Sequence, residues 1–144
     1  MAEACLNKLA TGKLRAYSCG DPDAVAKVPY GWALLALQTS TIPTKDLRCK
    51  AWSDFSRNSA LKMDFVIALD AATSWRHPSW PGQPETAMWE YPEIDAGRVS
   101  NPSLLAIQLL HSLRRRIELF SILCSKGLSR DELRNDLRDL AHLR

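Results

Sequence analysis

The run Phe65-Val66-Ile67-Ala68-Leu69 places apolar side chains in unbroken succession between Asp64 and Asp70. A strand with one face in water alternates apolar and polar residues. A short continuous run rich in branched and aromatic side chains reads instead as a strand buried on both faces, as in a parallel sheet covered by helices. The rest of the chain must then supply flanking strands and two helical layers. "LRAYSCG" alternates and ends at Gly20, which predicts a strand over Leu14 to Cys19. "ETAMWEY" predicts another, stopped by Pro92. Pro29 suits the first turn of a helix through "YGWALLALQ", where its missing N–H is no loss. "AWSDF" predicts a short helix with Trp52 and Phe55 on one face. "TSTIPTKDLRCK" and "TSWRHPSWPGQP" are loops, the second with a turn at Pro81-Gly82. Asn101 and Pro102 open a long helix whose apolar face is Ala106, Leu109, Leu110, Leu113, Ile117, Phe120 and Cys124. The capping box Ser129-x-x-Glu132 starts a last helix carrying Leu133, Leu137 and Leu140. Strands alternating with helices predict an α/β fold, a three-layer αβα domain around a doubly wound parallel sheet.

One feature is out of place in that scheme, because a helix comes first. Met1, Ala2, Cys5, Leu6 and Leu9 recur at helical spacing, Gly12 follows the run, and no capping residue precedes it. In a doubly wound sheet the loop between the first strand and the first helix is where ligands commonly bind. The expectation is therefore a sheet missing its first strand and the loop that follows it. The 144 residues fit a single incomplete domain over 1–144. A net charge of +3 gives no argument for nucleic acid. The apolar runs are too short to span a membrane, and the four cysteines lack C-x-x-C spacing. A reduced cytoplasmic protein without metal or cofactor is expected. His77, His111 and His142 have no ligand-like spacing.

"MDFVIALDAA", "HPSWPGQPETAMWEYPEID" and "RRRIELF" together resemble the arsenate reductases of the low-molecular-weight protein tyrosine phosphatase family. The block from Trp80 to Trp89 carries the resemblance most specifically. Tyr17 to Gly20 ("YSCG") is similar to the family's Tyr-Ser-Ala-Gly, and Arg48 and Lys50 in "RCKAWSDF" fall in its Arg-Ser-Lys-x-Trp-x-x-Phe. The resemblance covers essentially the whole chain. It implies that Met1 follows directly on a strand and a Cys-x5-Arg-Ser phosphate loop, and that this missing first strand is the central one of the sheet. Such a loop supplies a thiolate nucleophile, amides for the oxyanion and an arginine that clamps it. These parts are absent from the sequence, so arsenate or a phosphate-type oxyanion is an expected ligand only if such a loop lies upstream.

The resemblance also marks a general-acid position. The family has Trp-Gly-x-Pro-Asp-Pro where this chain has Trp89-Glu90-Tyr91-Pro92-Glu93-Ile94-Asp95. Glu93 takes the acid's place, Ile94 replaces the following proline, and Asp95 is the neighbouring carboxylate. Both are expected as general-acid remnants. The cysteines that resolve an oxidised intermediate in relatives correspond to Leu69 and His77, which cannot form a disulfide. Cys5 and Cys19 read as buried structural thiols, and Cys49, between Arg48 and Lys50, as the most reactive of the four, with an incidental role. Arg114-Arg115-Arg116 reads as a solvated helix face. The tryptophans need no base-stacking role. A truncated or degenerate arsenate-reductase-like protein, inactive as written, is the expected function. An active reductase or phosphatase with an upstream loop, and a non-catalytic interaction module, are the alternatives. Loss of a central strand is expected to uncover Leu6, Leu9, Ile117 and Phe120, and to favour self-association through the open sheet.

Overall fold

The computed structural model describes residues 1–10, 12–94 and 97–143. Its elements are α1 (Ala2–Leu9), α2 (Gly31–Thr39), α3 (Ser53–Ser56), β1 (Phe65–Ala68), α4 (Ala71–Ser74), β2 (Glu85–Met88), α5 (Pro102–Cys124), α6 (Arg130–Asp139) and a 3₁₀ turn, Leu140–His142. The class is mixed α/β, with helices dominating two parallel strands. No helix among the described residues is long and apolar enough to cross a membrane.

The long helix α5 is the spine. The Asn101 side chain accepts a hydrogen bond from the Leu104 amide at 3.0 Å, and Pro102 takes the first turn. Its stripe Ala106, Leu109, Leu110, Leu113, Ile117 and Phe120 is buried as the spacing requires, while Cys124 is half-buried. Helices α1, α2 and α6 all pack on it. The strands run in parallel with Phe65 opposite Glu85 and Ala68 opposite Met88. The pairing continues past β2, where Trp89 and Tyr91 donate to the carbonyls of Ala68 and Leu69 at 2.8 and 3.0 Å. Phe65, Ile67 and Leu69 join the core under α5. Buried Trp89 donates from Nε1 to the Leu137 carbonyl at 2.9 Å, which fastens α6 to the end of β2.

Several expectations need correction. Leu14 to Cys19 forms no strand. The Asn7 amide takes both backbone groups of Ala16, donating to its carbonyl at 3.1 Å and accepting from its amide at 2.8 Å. Only Gly20 pairs in strand fashion, as a single parallel bridge to Ala51. Alternation alone cannot make a strand without a neighbour to bond. The β1 run is half-buried throughout, not fully buried. Val66 and Ala68 lie with Thr86 and Met88 beside an open cavity of about 320 Å³, rimmed by His77 and Arg138. Ile117 and Phe120 are buried, not uncovered, and Leu6 and Leu9 pack half-buried on the core. The rings of Phe65 and Trp89 meet Phe120 edge-on at 5.1 and 6.4 Å. Pro29 lies before the N-cap, Tyr30, and so outside the first turn of α2. Finally, one-turn helix α4 occupies the start of the expected loop, capped by Asp70.

Candidate functional site

The expected phosphate loop would precede α1, and in open α/β sheets ligands bind outside the carboxyl ends of the strands. At the start of α1, the Glu3 carboxylate accepts from the Ser18 hydroxyl and pairs with Lys50 Nζ at 3.3 Å. Lys50 also donates to the Arg48 carbonyl at 3.0 Å. Burial lowers the pKa of the Met1 amine, which lies within electrostatic reach of Cys5, Glu3 and Cys49. Beside this cluster a groove of about 680 Å³ is lined by Asn7, Lys13, Arg15, Arg48 and Lys50 among others. Lys50 thus meets Glu3 at the start of α1, and Arg48 lines the groove beside it.

The expected acid remnants do not join them. Glu93 is exposed on the segment after Tyr91, lines neither cavity, and has no hydrogen bond or ion pair among the described residues. Asp95 lies outside the described residues. Glu93 therefore stands apart from the cluster at the start of α1.

The thiols are separated as well. Cys5 is fully buried on α1, and burial pushes its pKa up. Cys19 is at the surface, yet desolvation still raises its thiol, with Lys50 pulling the other way. Cys49 is half-buried. Cys124 is raised by burial and by the Asp64 charge. A Cys-x5-Arg spacing does occur once, at Cys124 and Arg130, but it spans a turn between two helices. Arg130 is spent on Glu85 Oε1 at 2.9 Å and the Gln83 carbonyl at 2.6 Å. The amides of Ser125, Lys126 and Ser129 are bonded to Ile122, Leu123 and Glu132. That turn therefore offers an oxyanion neither a low-pKa thiol nor a free guanidinium.

Two arginines have roles that the sequence reading did not assign. Arg116 is buried, contrary to the solvated face expected for the arginine run. Its guanidinium lies 4.8 Å from the Tyr91 ring and 6.0 Å from Trp89, and Nη2 donates to the carbonyls of Ala141 and Leu143. Arg114 does face outward and pairs with Glu118. Arg76 bridges Asp21 at 3.0 Å and Asp23 at 2.8 Å, tying the segment after Gly20 to the loop after α4. Both contacts join residues far apart in sequence, so no local pattern announces them. No group of three or more metal-ligating side chains occurs among the described residues. No protein-family model and no curated protein sequence matches the chain.

Proposed function

We propose that these residues form a non-catalytic, cytoplasmic domain of the arsenate-reductase, low-molecular-weight phosphatase type, a three-layer αβα sandwich lacking the central strand and phosphate loop. One observation carries the reading. At Cys124 and Arg130, the one pair with the Cys-x5-Arg spacing, burial and the Asp64 charge raise the thiol's pKa and Arg130 is held by Glu85 and the Gln83 carbonyl, whereas oxyanion chemistry of this class needs a low-pKa thiol and an arginine free to clamp. The exposed position of Glu93 supports it further, because even a catalytic carboxyl displaced by 1 Å loses on the order of a hundredfold in rate.

The test is direct. Purified protein is assayed for release of p-nitrophenol from its phosphate ester and for reduction of arsenate by a thiol reductant. No turnover above buffer is expected in either assay. Turnover that disappears when one of Cys5, Cys19, Cys49 or Cys124 is replaced by serine would defeat the proposal and identify the nucleophile.

A further inference from the structure

Strands β1 and β2 end side by side, at Ala68 and Met88. The open cavity of about 320 Å³ lies against these last residues, which is where open α/β sheets place their ligands. Its floor is apolar, made by Val66 and Ala68 of β1 and by Met88 of β2, which stays 42% exposed. Its polar groups come from three separate parts of the chain. Ser74 ends α4, His77 lies in the loop after it, and Arg138 stands on α6. An apolar floor with a few convergent polar groups is the ordinary make-up of a small-molecule site, and the volume falls at the small end of the range for one.

The chemistry of the rim decides what fits. Arg138 donates from Nε to the Thr86 carbonyl at 3.3 Å, which holds the guanidinium at the cavity. Its two terminal nitrogens have no partner among the described residues, and no carboxylate among them lines the cavity. His77 donates from Nδ1 to the Pro78 carbonyl at 3.0 Å and stacks on the Trp80 ring at 6.3 Å, which fixes its ring and leaves Nε2 uncommitted. One permanent positive charge beside an apolar floor matches one negative charge on an apolar body. A guanidinium fork pairs a carboxylate bidentately. A phosphate asks for more, commonly the free amides of a helix start. The helix start that follows β1 is already spent, because the Ala72 and Thr73 amides both donate to Asp70.

We propose that this cavity binds a small monocarboxylic acid with an aromatic or branched aliphatic body. The body lies on Val66, Ala68 and Met88, and the carboxylate pairs with Arg138, with His77 and Ser74 beside it. None of the four cysteines lines the cavity, so the site stands or falls separately from the absence of turnover.

Titration with benzoate, followed through the backbone amide resonances of the isotope-labelled protein, tests it. Saturable shifts are expected at Ala68, Thr86 and Met88. Benzamide keeps the ring without the charge, acetate keeps the charge without the ring, and each is expected to bind at least about tenfold more weakly. Inorganic phosphate is expected to move none of these amides. Arg138→Gln is expected to raise the benzoate dissociation constant about tenfold or more. Ala68→Leu, which fills the floor, is expected to abolish the shifts. Arg114→Gln removes a cation that does not line the cavity and is expected to bind as wild type does. Thermal melts report whether each variant folds, and the wild-type comparison of benzoate with benzamide decides the matter without any variant. The proposal is overturned if benzoate leaves the three amides unmoved, or if benzamide or phosphate binds there as tightly. A folded Arg138→Gln that binds benzoate like wild type overturns it too. Equal losses from Arg114→Gln and Arg138→Gln would do the same, by showing attraction to overall charge alone.

Discussion

Arg116 exchanges water for two carbonyl oxygens and the faces of two rings, and its Nε and Nη1 are buried with no hydrogen-bond partner. Its packing and its polar contacts therefore pull in different directions. Methionine keeps much of the stem's packing and removes the two unpartnered donors, while alanine leaves a hole. Arg116→Ala is expected to be less stable than Arg116→Met by about 2 kcal/mol in chemical denaturation. Equal losses would mean that the guanidinium contacts, not the packing, hold this site. Asp70 works through charge. The Thr73 hydroxyl, followed by the amides of Ala72 and Thr73, bonds its carboxylate and lowers its pKa from 3.8. A lowered carboxyl pKa contributes stability above the unfolded value, and that stability is lost as pH falls through the folded one. Asp70→Ala is expected to cost about 1 kcal/mol at neutral pH, with the gap to wild type closing below about pH 3.8. A gap that persists in acid would separate the cap from its charge. Neither role was legible in the sequence. Asp70 read as the end of a strand and Arg116 as a solvated residue, because the partners of Arg116 lie 25 and 27 residues away.

Elements whose signals are local were legible. The Ser129 capping box fixes the start of α6, with Ser129 Oγ accepting from the Glu132 amide at 3.2 Å and Glu132 returning the bond. The periodic stripe of α5 and its Asn101 cap set both its start and its buried face. Helix α4 is a single turn, too short for any period to show, and Leu14 to Cys19 shows a strand's period without a strand's partner. The cluster at the start of α1 was not legible, because Lys50 and the Glu3 carboxylate it meets lie 47 residues apart. What holds the flanking segments together is the long-range Arg76 bridge, and its two carboxylates differ sharply. Asp21 is buried and Asp23 is 79% exposed. Arg76→Ala strands a buried carboxylate and is expected to cost about 1–3 kcal/mol. Asp23→Asn removes a screened surface pair and is expected to cost no more than about 1 kcal/mol. Urea denaturation of the two variants checks this. A larger loss from Asp23→Asn would show that the surface pair, not the buried one, carries the bridge.

At the scale of the whole molecule, core and surface are out of proportion. One core cluster runs from Cys5 on α1 through α2, Trp89 and α5 to Leu137 and Leu140. Around it, Tyr17, Val28, Trp32, Leu35, Leu61, Trp75 and Met88 stay exposed. The edge of β1 away from β2 has no paired strand among the described residues. An open edge and uncovered apolar side chains both lower the stability of an isolated chain, and the margin of a typical domain is only about 5–15 kcal/mol. Anything that binds the folded chain and not the unfolded one adds to that margin by mass action. Two consequences separate this account from that of a self-sufficient monomer. The melting temperature is expected to rise as protein concentration increases through the micromolar range. At the dilute end the chain is expected to bind a hydrophobic dye and to melt over a broad range, as loosely packed states do. Scanning calorimetry and dye fluorescence on one concentration series measure both. A sharp transition at one temperature throughout, without dye binding, would show that the α5-centred core is sufficient by itself and that the exposed apolar surface carries no energetic burden.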